Sequence, residues 1–381
     1  MPEVLDIADG SQDLLLVRMQ SGQYVGWGEC EASPLVSIAS WVTPMSHGAC
    51  KPISASVLGQ TLNSVDDIKR IGNLVREKSL DVLQTDHTLS GVDIAMWDLL
   101  GKRYETPVVE LLGIKKSFAK TPYASVLFGD TPAETLAKGK AARAGGYVAA
   151  KFGWGPYGHG SVEADADQVA AAREGIGPDG ILLIDAGTVW KNDLERASSR
   201  LPALKEFNAT WLEEPFLSGA LDAYKTLASK AGPVKLAGGE GSHDVFMAQH
   251  MIDHAGIGYV QIDAGRIGGI TPARDVALYA RDRGVTYVNH TFTSHLALAA
   301  SLAPFVDSEH DVICEYPAEL KALAVDITHN HIERDLNGQV SLSDAPGLGV
   351  RVNVEAANRY LVPTEIRVGG KTLYETPVLA G

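Results

Sequence analysis

Ile181-Leu182-Leu183-Ile184-Asp185 is apolar for four residues and closes on a carboxylate, and Thr210-Trp211-Leu212-Glu213 repeats the arrangement one unit later. Short apolar runs between turn residues read as buried strands. Upstream the pattern continues with Tyr123-Ala124-Ser125-Val126-Leu127 and Tyr147-Val148-Ala149-Ala150-Lys151. Downstream it continues with Val234-Lys235-Leu236-Ala237, Gly258-Tyr259-Val260-Gln261-Ile262-Asp263, Thr286-Tyr287-Val288-Asn289-His290 and Asp311-Val312-Ile313-Cys314-Glu315. Ala-rich amphipathic segments lie between the runs, which argues for βαβ units and a parallel sheet. Eight strands, each followed by a helix, is the count of a (β/α)8 TIM barrel.

The ends of these runs carry the strongest functional signal. Lys151, Asp185, Glu213, Asp263, His290 and Glu315 each close a run, and Glu240 follows the fifth closely. From Asp185 onward the spacing is 23 to 28 residues, about one βα unit. Side chains at the C-terminal ends of barrel strands converge on one mouth, where barrel active sites lie. Asp185, Glu213 and Glu240 make a set of hard oxygen donors suited to Mg²⁺. Glu214 is read as lying behind Glu213, because neighbouring strand residues face opposite ways. Asp263 and His290 end adjacent strands, so the carboxylate can fix the imidazole tautomer and make His290 a general acid or base. Lys151 approaches from the other side, and a nearby divalent cation is expected to push its pKa down into the range of a base.

The rest of the chain frames this barrel. Asp13 to Glu29 reads as a hairpin turning at Gln20-Ser21-Gly22-Gln23, residues 32–55 as a loop region, Ser64 as a helix N-cap, and Thr88 to Tyr104 as a helix with one apolar face. The tail after 320 ends in alternating strands. The expected division is an α+β capping domain at 1–118, the barrel at 119–320, and a segment at 321–381 that returns to the cap. The 381 residues hold 33 basic and 47 acidic side chains, a net charge of −14, with no basic run, which argues against nucleic-acid binding. No apolar run is long enough to cross a membrane. Three scattered cysteines suggest neither a disulfide framework nor a thiolate metal site. The acidic first residues lack a signal-peptide pattern, so a cytoplasmic location is expected.

Several segments resemble a known family. TWLEEPF, LAGGEGSH, VQIDAGRIGGIT and VNHTFTSHLALAAS are similar to the mandelate racemase branch of the enolase superfamily, and SGVDIAMWDLLGKRYETPVVELLG and DAPGLGV to its outer landmarks. The resemblance covers nearly the whole chain. It implies a modified barrel under an α+β cap, one Mg²⁺, and abstraction of the proton α to a carboxylate. On that resemblance Asp185, Glu213 and Glu240 match the metal ligands, Asp263 and His290 the dyad, and Glu315 an acid beside the substrate carboxylate. It also implies a homo-oligomer.

The chain departs from the family pattern at three places that bear on the substrate. Lys-x-Lys at the second strand is Ala149 and Lys151, and Asp-x-Asn after the third is Asp185-Ala186-Gly187. A Gly-rich insertion, 152–160, is expected to bring Trp154, Tyr157 or His159 over the substrate, with Glu29 reaching in from the cap. The resemblance favours dehydration of an acid sugar, a lyase reaction. The alternative is racemisation, epimerisation or cycloisomerisation of a related hydroxy acid. The G-x-G-x-x-G at 153–158 raises a remote NAD-dependent dehydrogenase reading, weakened by Pro156 and by the 27 residues from Gly158 to Asp185. A non-catalytic acid-sugar-binding relative is a further rival, disfavoured by the intact acid set.

Overall fold

In the computed structural model, which describes residues 13–31, 34–319 and 321–379, the chain opens with an antiparallel hairpin. Strand β1 (Leu14–Ser21) pairs with β2 (Tyr24–Glu31) through a turn at Gly22, whose φ of 59° suits a residue without Cβ. The helix Thr85–Arg103 lies directly on β2. A Cβ on Gly26 would meet the Ala95 carbonyl at 2.1 Å, and one on Gly28 the Gly91 carbonyl at 2.0 Å. That helix is buried nearly all round rather than along one face, because the hairpin, the helix Val65–Lys78 and the barrel surround it. Ser64 and Asp67 form a capping box at the start of Val65–Lys78. The segment expected to be a loop contains the helix Pro34–Val42 and a short turn of helix at Ser54–Val57. Pro34 sits in the first helical turn, where its missing N–H does no harm, and Ile38 is buried. The acidic residues before Asp13, read from the sequence as lacking a signal-peptide pattern, lie outside the described ones.

Eight parallel strands follow: β3 (Thr121–Leu127), β4 (Ala149–Gly153), β5 (Ile181–Asp185), β6 (Ala209–Glu213), β7 (Lys235–Gly238), β8 (Tyr259–Asp263), β9 (Thr286–His290) and β10 (Ile313–Pro317). They form one sheet in the order β10-β3-β4-β5-β6-β7-β8-β9, with helices outside it, so the fold is the expected modified (β/α)8 barrel. The ladder runs β10 to β3 but stops between β9 and β10. There Asn289 takes its place: Oδ1 accepts from the Glu315 N–H at 2.9 Å, and Nδ2 donates to the Glu315 carbonyl at 3.3 Å.

Strand alternation places the site. Tyr123, Ala149, Leu183, Trp211, Val288 and Ile313 belong to a packed layer inside the barrel. Two residues further along the same strands stand Ser125, Lys151, Asp185, Glu213, His290 and Glu315, on the same inner face by the period of 2. The tail touches the cap helix, with Asp98 Oδ1 accepting from the Leu348 N–H at 3.0 Å, and its last strands β11 (Glu365–Val368) and β12 (Lys371–Glu375) pair with each other. No helix of the described residues is long and apolar enough to cross a membrane.

Candidate active site at the barrel mouth

Gly153, Asp185 and Glu213 are ladder partners on β4, β5 and β6, and Asp263 and His290 are partners on β8 and β9, so the strand register itself gathers the mouth residues. Lys151 Nζ lies 2.8 Å from Glu213 Oε1, 3.0 Å from Glu315 Oε1 and 3.8 Å from Asp185 Oδ2. Beneath it are the ring of Tyr123, 5.7 Å away, and Trp211, whose Nε1–H donates to Glu213 Oε2 at 3.1 Å. Across the mouth His290 Nδ1 is 2.6 Å from Asp263 Oδ2, whose Oδ1 accepts from the Gly265 N–H. This directs Nδ1–H at the carboxylate and leaves Nε2 as the working nitrogen, 3.1 Å from Glu240 Oε2 and 4.0 Å from Glu315 Oε2. Glu315 therefore stands between Lys151 and His290. Its carboxylate accepts from Ser125 Oγ–H and from the Thr291 N–H, both at 2.8 Å.

The cap enters the same network through β2. Glu31 pairs with Arg266, which reaches on to Glu240 Oε1 at 3.1 Å and lies 3.9 Å from Asp263. Glu29, on the same face of the strand, accepts a hydrogen bond from Ser294 and lines a small cavity of about 10 Å³ with Glu31, Asp263 and His290. Burial pushes the Glu29 carboxyl up to about 7 against the lowering effect of Ser294 and Thr293.

Acids outnumber cations at this mouth, and their ionisation shows it. Burial, only partly opposed by Lys151, pushes Asp185 up to about 6 and Glu213 up to about 8, with Glu240 and Glu315 adding repulsion to both. Burial and the neighbouring Glu240, Asp185 and Glu213 raise Glu214 well above its ordinary range. Glu240 is the exception: burial raises it, but His290, Arg266 and Lys151 outweigh that and hold it near about 2. The downward shift expected for Lys151 belongs to a bound divalent cation; among the side chains alone the balance runs the other way. Burial alone favours the neutral amine, but Glu213, Glu315, Tyr123 and Asp185 together raise its pKa well above the lysine range.

Among the described residues no three His, Cys, Asp or Glu groups already form a finished metal cage. The Lys151 ammonium lies among the acids and offsets part of their charge. The donor set still fits a hard divalent cation: Asp185, Glu213 and Glu240 are buried oxygen donors, and Glu214 Oε1 is buried without a hydrogen-bond partner. Glu214 has a φ of 40° and so leaves the strand alternation. It feels the charge of Glu240, Asp185 and Glu213.

The insertion after β4 divides the three residues read there. Trp154 is 58% exposed and lies over Gly187, just past Asp185. Tyr157 is 1% exposed and packs between Phe128 (centroids 5.0 Å apart) and Trp190 (6.0 Å). It belongs to the outer core rather than over the mouth, because positive φ at Trp154, Gly155 and Gly158 turns the loop back on itself. His159 is exposed on that loop, its N–H bonded to the Pro156 carbonyl. The dinucleotide reading finds no support in this geometry. The next helix, Val162–Ile176, starts four residues beyond Gly158, is capped by Ser161, and carries Glu163 and Asp165 in its first turn, which repels phosphate. Sequence reasoning missed Arg266, Glu31, Ser294 and Asn289. Of these Arg266, inside VQIDAGRIGGIT, and Asn289 and Ser294, inside VNHTFTSHLALAAS, lay within segments that resemble the family.

Comparison with known proteins gives a consistent picture. Residues 134–357 match the enolase C-terminal domain-like model, and 7–113 match the mandelate racemase / muconate lactonizing enzyme N-terminal domain. The chain is 29% identical over 357 residues to D-galactarolactone cycloisomerase of Agrobacterium fabrum, covering 89% of this chain and 88% of that one. It is 28% identical over 290 residues to the Caldivirga maquilingensis protein named "Putative L-rhamnonate dehydratase", covering 70% of this chain and 65% of that one. A crystal structure described as a predicted mandelate racemase from Rhodobacter sphaeroides superposes with a TM-score of 0.93 at 57% identity, covering 99% of this chain and 96% of that one.

Proposed function

Since the chain belongs to the mandelate racemase / muconate lactonizing enzyme family of the enolase superfamily, we propose that it removes the proton α to the carboxylate of a sugar acid and then eliminates a β-oxygen. The observation that carries this reading is the placement of Lys151 and His290 on either side of Glu315. Asp185, Glu213 and Glu240 would hold a Mg²⁺, which when bound would supply positive charge beside the substrate carboxylate. His290, oriented by Asp263, moves a proton at Nε2, and Lys151 moves one at Nζ from the opposite face. Glu315, fixed by Ser125, Thr291 and Asn289, stands beside the enediolate that forms as the α-proton leaves. The C–H electron pair becomes the Cα=Cβ bond, the Cβ–O bond breaks, and the second carrier protonates the departing oxygen. The resulting enol tautomerises to an α-keto acid.

Two leaving groups give two reaction classes. A hydroxyl departs as water, which makes the enzyme a dehydratase; a ring oxygen stays in the product, which makes it a cycloisomerase. The Caldivirga and Agrobacterium relatives carry names of the two kinds. The same opposed proton carriers also suit racemisation. A panel of open-chain and lactone sugar acids, incubated with Mg²⁺ in D₂O, tests all three by NMR. Keto product with an unchanged or reduced mass identifies the elimination, and inverted, deuterated substrate identifies racemisation. The reading fails if the protein binds Mg²⁺ and yet no acid gives keto product or α-deuteration.

A further inference from the structure

Trp154 combines three properties that core packing does not require. It is a bulky residue with a φ of 56°, in the left-handed region that side chains beyond Cβ rarely adopt. It is exposed where Trp27, Trp97, Trp190 and Trp211 are buried. Its indole also rests on a residue near Asp185 that has no side chain: a Cβ built on Gly187 would meet Trp154 Cδ2 and Cε2 at 3.0 Å. Gly187 in turn donates its N–H to Asp185 Oδ1 at 2.8 Å. On the other side Gly153 lies against the same carboxylate, where a Cβ would come within 2.8 Å of Asp185 Oδ2. The two departures from the family pattern, the insertion after β4 and the glycine two residues past Asp185, therefore form one device. The glycine leaves the space and the indole fills it, while more than half of Trp154 stays exposed.

We infer that Trp154 is a stacking platform at the rim of the mouth that selects ring-form sugar acids, lactones or anhydro sugars, over open-chain ones. This rests on the reading that the mouth binds a sugar acid, and it deepens that reading by naming the substrate shape. A closed sugar ring presents a flat face of C–H groups to an aromatic ring, whereas an open chain keeps no such face. The preference then lies outside the proton-transfer residues, and for a ring substrate the oxygen eliminated is the ring oxygen.

The test uses the full-length enzyme with Mg²⁺, D-galactarolactone as ring probe and galactarate as open-chain probe. Trp154→Ala is expected to lower the ring-to-open-chain ratio of kcat/KM about fivefold, in the range of aromatic contact energies, and Trp154→Phe to restore most of it. D-galactarolactone is expected to protect wild-type tryptophan fluorescence from acrylamide quenching, an effect lost in Trp154→Ala. An unchanged ratio in Trp154→Ala, or no protection by a lactone that is turned over, overturns the platform. If neither probe is turned over but the lactone still protects Trp154, the platform stands and the elimination reading falls. If the lactone neither reacts nor protects, both fall.

Discussion

Two buried lysines stand at opposite ends of the barrel, and their fates differ. Lys120, just before β3, donates to the Ser308 carbonyl at 2.6 Å and the Asp311 carbonyl at 2.9 Å, over the ring of Phe305. Burial pushes its pKa down to about 8, and the nearby acids only partly oppose that. Lys151, on the next strand at the other end, is equally hidden but driven well above the lysine range by carboxylates. The first is held by neutral dipoles, which satisfy donors without fixing the charge. The second is surrounded by full charges that hold it as a cation. Barrel folds keep stability at the N-terminal end and chemistry at the C-terminal end, and here that division shows as the kind of partner given to a lysine.

The contrast breaks first at Lys151. Lys151→Met should lower kcat by about 10³-fold, within the range of a lost general acid or base, as read by keto-product formation. A variant that still turned over at a tenth of the wild-type rate would remove Lys151 from proton transfer. Asn289→Ala should come next, with about a 10- to 100-fold loss of kcat/KM, because Glu315 loses the amide that fixes its backbone. The same variant leaves the buried Glu315 N–H without its partner and should be less stable by about 1–3 kcal/mol in urea unfolding.

Lys120→Met should do the reverse of Lys151→Met. Its kcat should stay at the wild-type value, while stability falls by about 1–3 kcal/mol as the Ser308 and Asp311 carbonyls lose their donor. The smallest effect is one of slope. The folded pKa of Lys120, about 8, lies below its ordinary 10.5, so the unfolded chain holds that proton more tightly. Wild type should therefore gain stability relative to Lys120→Met as pH rises from about 8 toward 10.5. Parallel denaturation midpoints for the two proteins across that window would remove the dipole account of Lys120.

The barrel and its mouth were legible because one rule, the period of strand and helix, acts on every unit at once. Asp185, Glu213, Asp263 and His290 fall at strand ends by count alone, and the ladder pairs Asp185 with Glu213 and Asp263 with His290. Residues whose direction is set by a single turn were not legible. Tyr157 follows two left-handed residues that no periodicity encodes. Asn289 looked like an ordinary strand residue, since its role depends on a missing ladder between β9 and β10. The helix Pro34–Val42 was hidden by a Ser- and Pro-rich composition that usually marks loops.

The path from Glu31 through Arg266 to Glu240 bears on how freely such enzymes can be recombined. A capping segment transplanted from a relative would bring its own loops, and with them its own substrate shape. It would work on this barrel only if it also brought an acid at the end of its second strand. Without one, Arg266 loses its partner in the cap and keeps only the barrel acids Glu240 and Asp263. Position 31 thus acts as a compatibility key between two halves that look interchangeable, and exchange of whole caps should succeed or fail on that single carboxylate before any loop is considered.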